Sequence, residues 1–264
     1  MIIDLSGKTA IVTGSTGGIG LAIATGLARA GAQVTIVGRE QSRVDEALAQ
    51  LREAAQRDDA RGVVCDAGTA AGCQALMAAQ PETDILVNNL GIYGAREFFD
   101  IDDALWEEFF QVNVLSGVRL ARHYARGMRD RGWGRIQFIS SESAANIPAE
   151  MVHYGVSKTA LQGLSRGLAK VLAGTGVTVN TILPGPTRTA GASAMMAELA
   201  AERGVSPEQM EALFLQENRP STLLHRFANP EEVANLSVYA ASPQASATTG
   251  AALRVEGGIV ESIL

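Results

Sequence analysis

The 264-residue sequence has little of several residue types, and each shortage excludes a class of protein. Its two cysteines, Cys65 and Cys73, lack the spacing of a metal site and are too few for a disulfide scaffold, which favours a reducing, cytoplasmic setting. No apolar run approaches the ~20 residues of a membrane-spanning helix, so no membrane contact is expected. A net charge of −6 without a dense basic tract argues against nucleic acid as a partner. The three histidines lie far apart, so we expect no metal.

The remaining composition is that of a globular protein, with 47% hydrophobic and 19% charged residues. A chain of this length fits one large α/β domain and can bury a core without disulfides or metal. The N-terminal residues MIIDLSGK have neither the basic region nor the long apolar region of a signal peptide. We therefore expect residues 1–264 to form a single domain.

Short β-rich apolar runs recur along the chain and alternate with segments that have the pattern of helices. The runs are TAIVTG, QVTIVG, RGVVCD, DILVNN, RIQFIS, VTVNTIL and AALRVEGG. Helices are predicted over Ile19–Arg29, Ser42–Gln56 and Leu161–Leu172. Continuous Val/Ile runs indicate strands buried on both faces, and their alternation with helices indicates a parallel sheet. The sequence thus predicts an α/β fold, namely one doubly wound, Rossmann-type domain with a mostly parallel seven-stranded sheet flanked by helices.

Residues 190–219, called the lid segment below, interrupt this alternation, because they follow a predicted strand and contain none of their own. The run AMMAELAAERGVSPEQMEALFLQE predicts two short helices separated near Gly204–Pro207. Such a late helical insertion is typical of a substrate-binding lid, with plain crossover packing as the alternative. Exposed side chains of Met195, Met196 and Met210 would favour contact with an apolar ligand.

The glycine-rich turn TGSTGGIG, residues 13–20, lies directly between the first predicted strand and the first predicted helix. Gly14, Gly18 and Gly20 permit a tight turn, let the backbone approach a phosphate and let the helix pack on the strand. The helix N-terminus then offers free N–H groups to an anion. This glycine spacing alone is weak, and its place between strand and helix is what predicts a dinucleotide site.

The end of the second predicted strand indicates which dinucleotide is preferred. The run VTIVGRE places Gly38 and Arg39 there, without the acidic residue that would hold a ribose 2′-hydroxyl. A guanidinium can bind a phosphate bidentately, and Ser15 in the first turn could add a hydroxyl donor. NADP(H) is therefore the preferred cofactor, and NAD(H) stays possible if Arg39 is only a solvated charge.

Tyr154 and Lys158 stand four residues apart in a chain that has only three lysines. On a helix such a pair shares one face. An unperturbed phenol has a pKa near 10, and about 4 kcal/mol of phenolate stabilisation would bring it towards 7. The lysine ammonium together with an oxidised nicotinamide ring could supply that stabilisation. The alternative is a surface contact without chemistry.

With these motifs the sequence resembles the short-chain dehydrogenase/reductase family over essentially its whole length, and in particular its 3-oxoacyl-acyl-carrier-protein reductase-like members. The matching elements are TGSTGGIG (13–20), CDA (65–67), NNLG (88–91), QVN (111–113), ISS (139–141), YGVSK (154–158) and PGPTRT (184–189). Leu90 and Val156 depart from the family pattern, since both stand where alanine is common. The first departure predicts a bulkier wall beside the cofactor, and the second affects packing.

The resemblance implies a role for each matching residue. The catalytic set would be Asn113, Ser141, Tyr154 and Lys158. The cofactor set would be Gly14, Ser15, Gly18, Ile19, Gly20, Arg39, Asp66, Ala67, Asn89, Gly91, Tyr154, Lys158, Pro184, Gly185, Thr187 and Thr189. Tyr154 would act as general acid/base while Ser141 hydrogen-bonds the substrate oxygen. Asn113 would anchor a water that relays protons from Lys158.

In the cofactor set, Asp66 and Ala67 would flank the adenine, and Asn89 would support both the cofactor and the sheet. Thr187 and Thr189 would meet the carboxamide and the phosphates. The implied activity is NADP(H)-dependent reduction of a ketone, reversible as oxidation of a secondary alcohol, by hydride transfer. Reduction of 3-oxoacyl thioesters is one form of this activity.

The substrate is a small carbonyl compound or alcohol whose class is weakly constrained. The residues expected to line its pocket are Leu90, Tyr93, Ser143, Ile147, Met151, Pro186 and the lid segment, with Glu142 and Glu150 nearby. Acyl carrier protein is a candidate partner for a basic helix end, which otherwise is a solvated face. That helix end contains Arg122, Arg126, Arg129 and Arg131.

The predicted helix that carries Tyr154 has two stripes. The small residues are Ala160, Gly163 and Gly167, and the apolar residues, expected in the core, are Leu161, Leu164, Leu168 and Val171. Members of the family assemble through such helices, so the resemblance implies a homotetramer or a homodimer.

Two other functions stay open. One is an NAD-dependent dehydrogenase of a sugar, polyol or steroid, which titration with both cofactors would distinguish. The other is a non-catalytic NADP(H)-binding regulatory or scaffold protein. Tight cofactor binding without Tyr154-dependent turnover of ketones or alcohols would favour the second.

Overall fold

In a computed structural model that describes residues 2–263, seven strands form one sheet that is parallel throughout. The strands are β1 (Thr9–Thr13), β2 (Gln33–Gly38), β3 (Arg61–Val64), β4 (Ile85–Asn88), β5 (Gly134–Ile139), β6 (Val177–Pro184) and β7 (Ala252–Val255). Their order, β3-β2-β1-β4-β5-β6-β7, is that of a doubly wound sheet. The predicted Rossmann-type fold is confirmed. Each predicted apolar run coincides with one strand, although β5 begins one residue before its run and β6 ends one residue after its run.

Nine α-helices occur within the same described residues. They are α1 (Gly18–Arg29), α2 (Gln41–Ala55), α3 (Ala70–Ala79), α4 (Asp103–Phe110), α5 (Ser116–Asp130), α6 (Val152–Val171), α7 (Ala190–Arg203), α8 (Pro207–Asn218) and α9 (Pro230–Ala241). Along β1, Ala10 and Val12 join one buried cluster while Ile11 joins a second. Successive strand residues point to opposite faces, so the sheet is covered on both sides.

Helix α6 carries Tyr154, as expected, and begins at Val152, nine residues before the Leu161–Leu172 segment that has the helical pattern. The sequence YGVSK has a glycine and a β-branched residue, which hide a helical pattern. Gly155 is needed there, because a Cβ would stand 2.6 Å from Ile147 Cγ2 and 2.9 Å from the Ser143 carbonyl oxygen. The longer helix places Tyr154 and Lys158 on one face near its start.

Strand β1 pairs with β2 on one side and with β4 on the other. The strand order therefore reverses between β1 and β4. A crevice opens beyond the carboxyl ends of the strands at such a reversal. The glycine-rich turn leaves β1 at this edge, and the NNLG run leaves β4 beside it. The candidate site lies in this crevice.

The lid segment forms two helices, as predicted, with local sequence signals at each boundary. Thr189 caps α7, Gly204 ends it in the left-handed region with φ 66°, and Ser206 starts α8 in a capping box with Gln209. The expectation for its methionines was only partly right. Met196 and Met210 are buried between the two helices in a small core of their own.

Within residues 2–263, no helix combines the length and the apolar character that crossing a bilayer demands. The same residues contain no group of three or more His, Cys, Asp or Glu side chains placed to hold a metal ion.

Candidate active site

Two connected spaces lie at the carboxyl edge of the sheet. A groove of about 640 Å³ follows the glycine-rich turn and reaches Arg39, and a narrower, mostly apolar cavity of about 280 Å³ lies beside Tyr154. Tyr93 and Thr189 line both spaces. The space along the glycine-rich turn is the groove, and the space beside Tyr154 is the cavity.

The groove is floored by the glycine-rich turn. Gly18 has φ 54°, a left-handed conformation that a side chain would strain. A Cβ on Gly20 would stand 2.5 Å from the Gly14 carbonyl oxygen, so the helix can start here only with glycine. Asn89 fixes the turn, because its Nδ2 donates to the carbonyl oxygens of Thr13 at 2.9 Å and of Gly14 at 3.0 Å.

The start of α1 is suited to an anion. Among the described residues, no side chain caps its N-terminus, so its first N–H groups face the groove without a side-chain acceptor. A diphosphate would satisfy them and complement the positive end of the helix. The backbone of the turn therefore fits the phosphates of a dinucleotide.

Ser15 does not have the geometry expected of a phosphate donor. Its hydroxyl is fully buried, donates to the Val12 carbonyl at 2.6 Å and accepts from the Val37 N–H at 3.0 Å. The side chain thus joins β1 to β2 beneath the turn. The structure instead places Thr16 in the lining of the groove, a residue that the sequence analysis missed.

Arg39 and Arg43 line the far end of the groove with Glu40 between them in sequence. The sequence analysis missed Arg43, although it follows Arg39 by four residues, in the first turn of α2. Arg43 pairs with Glu46 at 3.6 Å, whereas no ion pair of Arg39 is found among the described residues. Arg39 is exposed, so its guanidinium can turn towards a phosphate in the groove.

Asp66 and Ala67 lie outside the lining of both spaces. Asp66 is exposed and accepts the Gly68 N–H through Oδ1 at 3.1 Å, while Ala67 is buried in the core.

The cavity brings together three of the four residues of the expected catalytic set. Ser141 follows β5, and Tyr154 and Lys158 come from the first two turns of α6. Lys158 is 4% exposed, and its Nζ donates to the Ile139 carbonyl oxygen at 2.9 Å. Burial lowers the pKa of Lys158 to about 8.

The phenol of Tyr154 is harder to ionise than a free one. Burial of the phenol raises the pKa of Tyr154 to about 12. A hydrogen bond with Ser141 acts in the opposite direction and lowers this pKa. The carboxylate of Glu142 raises this pKa further, and the guanidinium of Arg219 lowers it. Lys158 Nζ lies 5.7 Å from the centre of the tyrosine ring and is held by a backbone carbonyl. The lysine alone therefore does not acidify the phenol.

Asn113 lies behind the cavity and supports its wall. A short π-helical segment, Gln111–Leu115, sits between α4 and α5 and carries it. Its Oδ1 accepts the Ile92 N–H at 2.7 Å, and its Nδ2 donates to the Ile92 carbonyl at 3.0 Å and to Ser157 Oγ at 2.9 Å. The Asn113 side chain is thus committed to holding the loop that carries Gly91.

The pocket residues of the sequence analysis are partly confirmed. Four of them line the cavity: Tyr93, Ser143, Met151 and Pro186. Leu90 packs into the core beneath the sheet, and Ile147 is 43% exposed, so neither lines it. From the lid segment come Ala192, Met195, Phe214 and Arg219.

A buried ion pair forms one wall of the cavity and was not foreseen. Glu142 lines it as expected, and Arg219, at the end of α8, donates from Nε to Glu142 Oε1 at 2.8 Å. Glu150 is not part of the lining.

Comparison with known proteins agrees with this geometry. Residues 8–200 match the family model described as short chain dehydrogenase. The chain belongs to the short-chain dehydrogenase family. It is 45% identical over 263 residues to YvaG, an uncharacterized oxidoreductase of Bacillus subtilis, with 100% of each chain covered. As a short-chain dehydrogenase it is an NAD(P)-dependent oxidoreductase.

Two solved structures of the family are similar in fold. L-Sorbose reductase from Gluconobacter frateurii, complexed with NADPH and L-sorbose, has a TM-score of 0.93 at 33% identity, with 100% of both chains covered. An actinorhodin polyketide ketoreductase variant with NADPH has a TM-score of 0.85 at 31% identity, covering 97% of this chain and 98% of that one. These two members act on chemically different ketones, so similarity of fold leaves the substrate class open.

In this short-chain dehydrogenase the loop after β6 closes the site on its remaining side. Pro184, at the end of β6, and Gly185, Thr187 and Thr189, in the loop after it, all line the cavity. Thr187 donates from its hydroxyl to the Gly185 carbonyl at 2.9 Å, and Thr189 accepts the Ala192 N–H at 3.2 Å. Ile19 lines the cavity as well, at the start of α1.

Proposed function

We propose that the chain is an NADP(H)-dependent oxidoreductase that reduces a ketone, and reversibly oxidises a secondary alcohol, with Tyr154 as general acid/base. The observation that carries the proposal is the convergence of Ser141, Tyr154 and Lys158 on one cavity that joins a glycine-floored groove. A non-catalytic dinucleotide-binding protein would have no need of these three polar groups around a mostly apolar space.

Arg39 supports NADP(H) over NAD(H). An exposed guanidinium at the end of β2 suits a 2′-phosphate, and Arg43 adds a second positive charge at the same end of the groove. No acidic residue stands directly after β2 where it would hold a ribose 2′-hydroxyl, since Arg39 precedes Glu40. The two similar structures named above contain NADPH. NAD(H) remains a possible second cofactor.

When bound, a reduced nicotinamide supplies the hydride that reaches the carbonyl carbon of the substrate. Tyr154 gives its hydroxyl proton to the carbonyl oxygen, so that an alcohol forms. A pKa raised to about 12 keeps Tyr154 protonated at neutral pH, which suits the direction of reduction. Ser141 donates a hydrogen bond to the same oxygen and stabilises the charge that develops on it.

Lys158 and Asn113 have supporting roles. Lys158 places a charge near the phenol and can hold the ribose hydroxyls, and its lowered pKa allows it to accept and release a proton near neutral pH. Asn113 fixes the loop that contains Gly91 and Ile92, and these two residues form part of the cavity wall. A water relay from Lys158 past Asn113 to solvent remains part of this proposal.

The proposal is tested by following NADPH consumption with a panel of short ketones, hydroxyketones and 3-oxoacyl thioesters, and by repeating the panel with NADH. We expect turnover of at least one ketone class and a higher kcat/KM with NADPH. Tight binding of NADPH without turnover of any compound would contradict the enzymatic function. A preference for NADH would contradict only the role of Arg39 and would leave the proposed ketone reduction intact.

We also propose that the enzyme is a cytoplasmic homotetramer or homodimer that pairs through α6. Gly163 and Gly167 have no atom within 4 Å of an added Cβ, so one face of α6 is open to close approach. Val171, expected in the core, is 76% exposed on the same helix. This unpartnered face supports the assembly.

The structure gives little support to acyl carrier protein as a partner. Two residues of the basic helix end are neutralised, since Arg129 pairs with Asp130 at 2.9 Å and Arg131 pairs with Glu82 at 3.3 Å. Arg122 and Arg126 are exposed and remain candidates for such a contact.

A further inference from the structure

The wall of the cavity next to Ser141 is formed by two charged side chains that are almost completely buried. Glu142 directly follows Ser141 and is 3% exposed, and Arg219, at the end of α8, is 8% exposed. Arg219 Nε donates to Glu142 Oε1 at 2.8 Å. The last residue of the lid segment, Arg219, therefore contacts Glu142, the residue next to Ser141.

This ion pair is incompletely satisfied. Glu142 Oε1 accepts hydrogen bonds from Arg219 and from the Ser143 hydroxyl at 3.1 Å, whereas the buried Oε2 has no partner among the described residues. A buried acceptor without a donor is costly, and apolar side chains of the same size would fill the wall at a lower cost. A hydroxyl donor in the cavity, reached through a small turn of the carboxylate, would remove this cost.

The charges on the wall select the kind of group that fits. Glu142 and Arg219 offset each other, so a carboxylate or phosphate on the substrate would meet the acceptor oxygens of Glu142, and an ammonium would meet the guanidinium. A hydroxyl can donate to Glu142 and accept from Arg219 at the same time. The remaining cavity wall is mostly apolar and suits the carbon chain of the substrate.

The pair also lies close to the reacting centre. Glu142 is adjacent to Ser141 in sequence, and both Glu142 and Arg219 act electrostatically on the phenol of Tyr154. A group bound by the pair therefore belongs to a carbon near the carbonyl that Ser141 and Tyr154 hold.

We propose that Glu142 and Arg219 bind a substrate hydroxyl one or two carbons from the reacting carbonyl, so that the enzyme prefers hydroxyketones, and polyols in the reverse direction, over plain ketones. The inference rests on the proposed ketone reduction and names the substrate class of that same site. Arg219 comes from the lid segment, so the lid segment supplies one half of the hydroxyl site.

The test compares two ketones of nearly equal size that differ in one group. Hydroxyacetone and butanone differ by a hydroxyl in place of a methyl, and a homologous pair carries the hydroxyl one carbon further from the carbonyl. The readout is the ratio of kcat/KM for the hydroxylated ketone to that for the plain ketone. A hydrogen bond to a charged group predicts a ratio of about 10 to 100 for at least one pair.

The double variant Glu142→Leu/Arg219→Met replaces the pair by apolar side chains of similar length. We expect the ratio of the double variant to fall to about 1. If circular dichroism shows that the double variant is unfolded, Glu142→Gln serves as the second variant, and its ratio should fall at least about threefold. The control is Arg203→Met, which breaks the exposed Arg203–Glu217 pair within the lid segment and should keep the wild-type ratio.

The outcomes separate the two proposals. A wild-type ratio near 1 for both pairs, with ketones still reduced, overturns the hydroxyl site and leaves the ketone reductase intact. A high ratio that neither Glu142 variant lowers also overturns the hydroxyl site. Absence of turnover with every ketone overturns the proposed function itself.

Discussion

Gly91 is the position where the smallest change should separate activity from stability. An added Cβ would stand 3.0 Å from Lys158 Nζ and 3.2 Å from Asn113 Oδ1, while the backbone at Gly91 is one that alanine can adopt. Ordinary contacts begin near 3.4 Å, so Nζ has to retreat by roughly 0.4 Å. The atom displaced is the end of a flexible side chain, and its retreat strains the hydrogen bond to the Ile139 carbonyl.

The Gly91→Ala variant should therefore lose activity more than stability. A misplacement of about 1 Å can cost about 100-fold in rate, so 0.4 Å corresponds to a loss of about fivefold to tenfold in kcat. Overpacking at a flexible neighbour costs about 1 kcal/mol, which lowers Tm by about 2–4 °C. Steady-state kinetics at saturating NADPH give kcat, and calorimetry gives Tm.

Gly94→Ala is the matched control, because a Cβ at Gly94 meets no atom within 4 Å. It should match the wild type in both measurements. Wild-type kcat in Gly91→Ala would refute the argument that Lys158 must keep its position. A loss of kcat that is equal in both variants would show that the loop, rather than Lys158, controls the rate.

Three further predictions follow from other contacts. Arg219→Met leaves Glu142 buried without its partner and should destabilise the fold by about 3 kcal/mol, and a loss under 1 kcal/mol in thermal unfolding would contradict this. Arg39→Ala should raise KM for NADPH by about tenfold or more and leave KM for NADH unchanged, whereas equal changes would mean that Arg39 holds no 2′-phosphate. Burial lowers the pKa of Lys158 from 10.5 to about 8, so between these values the unfolded chain binds more protons at this group and its contribution to stability grows with pH. As the pH rises from 8 to 10, the free energy of unfolding of the wild type should increase by about 2 kcal/mol relative to that of Lys158→Met. A pH-independent difference in chemical denaturation would exclude this.

Short sequence patterns, each within a few neighbouring residues, predicted the sheet and most of the candidate site. The Val/Ile runs and the helices between them determine a parallel sheet, and a parallel sheet brings the ends of β1, β4 and β5 to one edge. The glycine-rich turn, Ser141 and the Tyr154–Lys158 pair follow from that placement. Arg43 could have been found too, since it lies in the first turn of the helix that follows Arg39.

The features that the sequence analysis missed depend on directions and partners that local patterns do not contain. Ser15 turns its hydroxyl inward to bond Val12 and Val37, which the composition of a turn does not reveal. Met196 and Met210 are buried because the two lid helices pack on each other.

Long-range partners account for the remaining differences. Arg219 meets Glu142 across 77 positions of sequence, and no periodicity connects them. The pKa of Tyr154 rises because burial outweighs the neighbouring positive charges, a balance that spacing alone cannot give.

The role of Tyr154 is tested most directly by Tyr154→Phe, which removes one hydroxyl and keeps the ring. NADPH affinity and kcat for ketone reduction are measured on the same preparation, by fluorescence titration and by steady-state kinetics. If Tyr154 is the proton donor, NADPH affinity stays within about threefold of the wild type and kcat falls by about 10²–10⁴-fold. A variant that binds NADPH normally and reduces ketones at nearly the wild-type rate would contradict the mechanism.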